Sequence, residues 1–198
     1  MVKVLGICGG SGSGKSTVTR IVEKKNGAEV IDADVLAHQI IKKGNPAYDE
    51  IISCYGSGIV GPDGEIMRKE LGKIVFGSPS ELKKLDNITY KYIYAEIVNN
   101  IESIRAKDKC SLIALDCALL LNTTLKDLTD EIWYIDADIE LRIRRTMERD
   151  SISREYAQKR IKSQSFDTSD AKIKTIMNNE GFEELENNVN NLIRELML

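Results

Sequence analysis

Residues 2–8 (VKVLGIC) form a short apolar run that ends in glycines, the pattern of a strand buried on both faces that feeds a turn. From Ser16 the spacing changes. Val18, Ile21 and Val22 recur at helical intervals, and Asn26-Gly27 supplies a helix stop before the next apolar stretch, residues 29–31. Strand, helix and strand make one βαβ unit. Apolar runs at 111–115, 132–135 and 173–177 predict further strands, separated from one another by helical or loop segments. The alternation predicts an α/β fold with a parallel sheet and helices on both faces.

Two stretches stand apart from that alternation. Between the second strand and residue 111 the pattern is mainly helical and breaks at residues 56–64, which suits an inserted substrate-binding lobe. Residues 182–197 predict an amphipathic closing helix with Leu185, Val189, Leu192, Ile193 and Leu196 inward. No repeat recurs at a fixed period.

Composition narrows the function classes. A chain of 198 residues has room for one well-buried core, so a single catalytic domain is expected. Hydrophobic residues make up 42% and charged residues 30%, the balance of an ordinary globular enzyme. A net charge of −3 and a pI near 5.4 leave no overall positive field to hold nucleic acid or an anionic membrane. Phosphate binding must then be local. Cys8, Cys54, Cys110 and Cys117 form no C-x-x-C pair and are expected as buried free thiols. The sole histidine, His38, lacks partners at metal spacing, and Tyr90, Tyr92, Tyr94 and Trp133 offer aromatic surface that is more often core than a base-stacking site and carries no assignment alone. The chain enters its first strand without a leader pattern, and no run of eighteen apolar residues occurs, so a cytoplasmic location is expected. The oligomeric state leaves no mark in the sequence.

Chemistry concentrates at the first turn. Gly9-Gly10-Ser11-Gly12-Ser13-Gly14-Lys15-Ser16 matches G-x-x-x-x-G-K-[ST] and sits after a strand and at a helix N-terminus. Glycines let the backbone curl around phosphates with its N–H groups inward, and the helix dipole favours negative charge at the same place. Gly10, Ser11, Gly12, Ser13, Gly14, Lys15, Ser16 and Thr17 are therefore the expected ATP contacts. Lys15 would reach the β- and γ-phosphates, Ser16 would ligate Mg²⁺, and Thr17 would contact the α-phosphate. A merely flexible connection would leave the lysine and both hydroxyls unexplained.

Asp32-Ala33-Asp34 follows the second strand, so both carboxylates are expected at the carboxyl edge of the sheet, beside the loop. Asp34 is the expected base for an attacking hydroxyl and Asp32 a metal ligand. Either could instead cap the helix that starts near Val35. Asp116 ends an apolar strand in the manner of a Walker B acid, a weak signal that gains weight from the loop upstream. In LRIRRTMERD, Arg145 and Arg149 lie four apart on one helix face, with Arg142 and Arg144 expected to point elsewhere. Arginines so placed can close over triphosphate oxygens and exclude water, although Glu140, Glu148 and Asp150 nearby could simply pair with them. Arg160 and Gln164 raise the same question one helix later. The residues together imply a P-loop kinase that moves the γ-phosphoryl of ATP onto a small-molecule hydroxyl, with Asp34, Lys15 and Arg145 as its catalytic residues.

Order and spacing along nearly the whole chain resemble the dephospho-coenzyme A kinase family. The resemblance rests on the loop through Val18, on Ile31-Asp32-Ala33-Asp34, and on Gly61-Pro62-Asp63-Gly64 with Arg68, Leu71, Val75 and Phe76. Further on it rests on Leu119-Leu120, on Arg145-Thr146-Met147-x-Arg149-Asp150, on Arg160 with Gln164, and on Asn179 and Gly181. It implies a three-layer P-loop NTPase fold over residues 1–198, with a helical acceptor lobe at about 36–105 and a lid at about 138–165. It also implies ATP and Mg²⁺ as cofactors and the ribose 3′-hydroxyl of dephospho-coenzyme A as acceptor. The chain departs from the family pattern at His38 (usually arginine), Tyr90-Lys91 (His-Pro), Ala118 (proline), Asn122 (glutamate), Arg142 (glutamine) and Asn178 (aspartate). A nucleoside or nucleotide kinase would share the loop and lid. A nucleotide-binding switch would share the loop alone, and no N-K-x-D guanine motif occurs.

Overall fold

In the computed structural model residues 2–198 are described, Lys25 and Asn26 by their backbone alone. The chain forms two compact units, the residues up to Ile31 together with Ile101–Leu198, and Asp32–Asn100.

The first unit is built on a sheet of five strands, β1 (Lys3–Gly9), β2 (Glu29–Asp32), β3 (Leu112–Asp116), β4 (Glu131–Asp136) and β5 (Ile173–Met177), in the order β2-β3-β1-β4-β5. Each expected strand is present, its ends moved by no more than about a residue. β1 pairs in parallel with β3 and β4, and β4 with β5. Parallel strands must be covered on both faces, which is why β1 is buried from Val4 to Gly9. Alternate side chains serve different layers. Leu5 and Ile7 enter a core with Val18 and Val22 of α1 (Lys15–Asn26) and Leu185, Val189 and Ile193 of α8 (Phe182–Leu196). Gly6, one residue out of phase, approaches Leu120, Thr129 and Ile132 so closely that any side chain there would collide with them. Leu192, expected inward, packs at the margin of the core. A smaller cluster of Ile143, Ala157 and Ile161 joins α6 (Ile139–Asp150) to α7 (Arg154–Lys162).

Register places the chemistry. Ile7 lies opposite Asp116, Gly9 opposite Ile135, and Asp136 opposite Met177. The loop after β1, Asp116 at the end of β3, Asp136 at the end of β4 and Asn178 after β5 therefore share the carboxyl edge of the sheet, the usual ligand side of an open α/β fold.

The second unit is helical, with α2 (Ala33–Ile40), α3 (Pro46–Tyr55), α4 (Arg68–Val75) and most of α5 (Pro79–Lys107). Its core holds Tyr48, Ile51, Ile59, Ile66, Leu71, Val75 and Ile88. The break at residues 56–64 is real: a 3₁₀ turn (Ser57–Ile59) and a single antiparallel bridge between Val60 and Ile66 separate α3 from α4. The Tyr48 hydroxyl donates to the Gly64 carbonyl and pins this turn to α3.

Candidate active site

The loop between β1 and α1 closes on itself where the Ser13 N–H donates to the Gly10 carbonyl at 3.2 Å. Gly14, at φ 96°, provides the cap position of α1 without a side-chain cap, and the first turn carries no acidic residue. The leading N–H groups of the helix thus meet no carboxylate from their own turn, which favours an anion there.

Side chains from α6 and the β5 exit grip the outer side of the loop. Arg142 Nε donates to the Ser11 carbonyl at 3.1 Å, and Arg145 Nη1 reaches the Gly12 carbonyl at 3.5 Å and the Asn178 carbonyl at 3.0 Å. Asn178 Nδ2 donates to the Ser13 carbonyl at 2.8 Å, and the Ser11 N–H donates to Gln164 Oε1 at 2.8 Å. This grip explains the glycines. A Cβ at Gly10 would run into the Arg142 guanidinium, at Gly12 (φ 77°) into the Arg142 backbone, and at Gly14 into the Asn178 amide. Ser13 Oγ and Thr146 Oγ1 are buried beside the loop without a hydrogen-bond partner, a cost of about 1–3 kcal/mol each that a stable fold seldom carries outside a functional site.

Behind the loop the Lys15 ammonium pairs with Asp116, whose other oxygen accepts from the Thr19 hydroxyl at 2.6 Å. Cys8 on β1 donates its thiol proton to the Trp133 carbonyl, and burial, with Cys117 and Asp116 adding to it, pushes that thiol up to about 12. The Arg145 guanidinium sits below its ordinary range because it is desolvated and stands beside Arg144. Among the described residues no carboxylate pairs with it, so an incoming anion would be its first charged partner.

The sequence grouped Arg145 with Arg149; the structure groups Arg145 with Arg142. Residues three apart share a helix face as well as residues four apart, and Asp136 draws Arg142 inward with an Oδ1 that accepts from Nη1 at 2.9 Å. Arg149 forks onto Asp150 at 2.7 and 2.8 Å, and Arg160 reaches the same carboxylate at 2.7 Å. Hydrogen bonds from Arg149 hold the Asp150 carboxyl below the usual range, with Arg160 contributing. Ser16 is exposed and Thr17 half-buried at the start of α1. Asp32 Oδ1 accepts from the Val35 N–H at 2.9 Å and caps α2, and Asp34 stands exposed in the first turn of that helix. Asp136 and Thr19 were not singled out in the sequence; Arg142 was expected to point elsewhere and Asn178 stood only as a departure from the family pattern. The three-residue spacing from Arg142 to Arg145 was the signal for their pairing.

Among the described residues no three His, Cys, Asp or Glu side chains gather as a metal cage. A magnesium ion takes few protein ligands and completes its shell with phosphate and water, which suits the exposed Ser16 hydroxyl, whereas both Asp116 oxygens are engaged by Lys15 and Thr19.

The sequence model of the dephospho-CoA kinase family matches residues 3–184. A dephospho-CoA kinase of Geobacter sulfurreducens is 37% identical over 190 residues, 95% of each chain. Among solved structures, a Thermus thermophilus protein superposes with a TM-score of 0.81 at 26% identity, covering 98% of each chain. The dephospho-CoA kinase of Campylobacter jejuni superposes with a TM-score of 0.69 at 25% identity, covering 100% of this chain and 98% of its own. With the glycine loop, its lysine and the carboxyl-edge acids in place, the chain belongs to the dephospho-CoA kinase family.

Proposed function

We propose that the protein transfers the γ-phosphoryl group of ATP to the ribose 3′-hydroxyl of dephospho-coenzyme A, giving coenzyme A and ADP. The observation that carries this reading is a gripped glycine loop at the carboxyl edge of a parallel sheet, in a chain whose family match spans residues 3–184. The Gly10-to-Thr17 backbone and hydroxyls bind the phosphates, and Lys15 leaves Asp116 to reach the β- and γ-oxygens. Arg145 and Arg149 neutralise the equatorial oxygens as charge builds. Asp34 accepts the proton of the 3′-hydroxyl as its oxygen attacks phosphorus and the bond to the β-phosphate oxygen breaks. Ser16, with Asp116 and Asp32, would hold a magnesium ion, which would supply charge neutralisation for the transfer.

We assign residues 36–105 to acceptor binding and 138–165 to a lid. No helix among the described residues is long and apolar enough to cross a membrane, and we place the enzyme in the cytoplasm. The test is an ADP-release assay with ATP, Mg²⁺ and dephospho-coenzyme A, run beside adenosine, cytidine, uridine and their monophosphates, with product mass determined. Gain of one phosphate on dephospho-coenzyme A is expected. Turnover only with a nucleoside or nucleotide would discard the acceptor and keep the kinase.

A further inference from the structure

Three consecutive loop carbonyls, those of Ser11, Gly12 and Ser13, each accept a hydrogen bond from a side chain outside the loop. In a planar trans peptide the N–H points opposite to the C=O. Fixing the Ser11 and Ser13 carbonyls against α6 and the β5 exit therefore turns the Gly12 and Gly14 N–H groups to the other side. That is the orientation a phosphate cradle requires.

Arg142 is the best-held member of this grip. It is a buried arginine, 8% exposed, and a buried guanidinium is tolerated only with a charge partner and filled donors. Asp136 provides the charge at 2.9 Å, the Ser11 carbonyl accepts at 3.1 Å, and Nη2 fills the space that a side chain at Gly10 would need. The planar fork fixes both bonds at once, which a lysine cannot do.

We propose that Arg142 is a positioning residue for the donor nucleotide: oriented by Asp136, it holds the Ser11 carbonyl outward and so keeps the loop N–H groups aimed at the phosphates. It acts through the backbone and touches no phosphate. The proposal rests on the reading of the loop as the ATP site.

The experiment is calorimetric ATP binding without acceptor, paired with steady-state kinetics, on wild type, Arg142→Met, Arg142→Lys and Asp136→Asn. Arg142→Met is expected to raise the Kd and KM for ATP about tenfold, the effect of one lost charge-assisted hydrogen bond. Its kcat at saturating ATP and its KM for the acceptor should stay within about twofold of wild type, as for uniform binding. Arg142→Lys should remain impaired, because the charge is kept and the fork is lost. Recovery by lysine would reduce the effect to long-range charge and overturn the proposal, as would a fall in kcat with KM unchanged. If Arg142→Met does not fold, Asp136→Asn decides: it keeps the guanidinium, frees its orientation, and should raise the Kd for ATP without lowering kcat. An unchanged Kd there would overturn the proposal. Wild-type protein that fails to bind ATP would sink the donor-site reading itself, whereas wild-type binding with an unaffected Arg142→Met would sink only the role given to Arg142.

Discussion

Lys15 is already paired with Asp116 in the site it is expected to serve, so an incoming phosphate must compete for its ammonium. Lys15→Ala should lower kcat/KM for ATP by roughly a hundredfold, since the charge that follows the transferred oxygens is lost. Asp34→Asn should lower kcat by about 10²–10⁴, the usual range for general base catalysis, with the Kd for ATP unchanged. Equal loss of ATP affinity in both variants would contradict the two roles. Cys8 offers a test of burial. Its thiol is pushed from 9.0 to about 12, so the folded state favours the neutral form. The resulting stability is complete below pH 9 and lost as pH rises toward 12. Alkylation at pH 8.0 should therefore spare Cys8 in the native protein and modify it in urea, as peptide mass mapping would show. At this scale the glycine loop was legible because its glycines, lysine and hydroxyls fall at fixed offsets between a strand and a helix. Arg142 and Asn178 were not, because an arginine on a helix and an asparagine after a strand acquire meaning only through the backbone carbonyls they meet. Both are also departures from the family pattern, and both donate hydrogen bonds to loop carbonyls.

Elements carry the site by where they end. β1, β3 and β4 are short and nearly all apolar, and their common register brings Gly9, Asp116 and Asp136 to one edge. Trp133 on β4 is fully buried, with its indole N–H on Glu131 Oε1 at 2.6 Å. Trp133→Ala should cost about 3–5 kcal/mol in urea denaturation, since the cavity adds to the lost transfer energy. A loss under about 1 kcal/mol would mean that the sheet can collapse around the gap. Strand positions were legible because an apolar run bounded by glycine or aspartate has few other uses. The assignment of helix faces was less so. α6 has arginines at 142, 144, 145 and 149, and periodicity permits both the three- and the four-residue pairing. The pairing with Arg142 is decided by Asp136, which comes from another element.

For the whole molecule, ligand linkage is the simplest readout. ATP with Mg²⁺ at about a hundred times its Kd should stabilise the fold by about 2.7 kcal/mol, seen as a rise in Tm. Lys15→Ala should lose most of that rise at the same concentration, and an equal rise would remove Lys15 from the site. With a net charge of −3, the protein must attract a polyanionic ligand through local geometry rather than an overall field. Sequence alone determined the strand–loop–helix opening, the alternation that makes a parallel sheet and the family resemblance, because hydrophobic period and glycine spacing are properties of neighbours along the chain. Only the tertiary structure decided which side chains hold the loop open. The carbonyls of Ser11, Gly12 and Ser13 find their donors at Arg142, Arg145 and Asn178, more than a hundred residues away, and pairing across that separation depends on strand order and register, which no local pattern encodes.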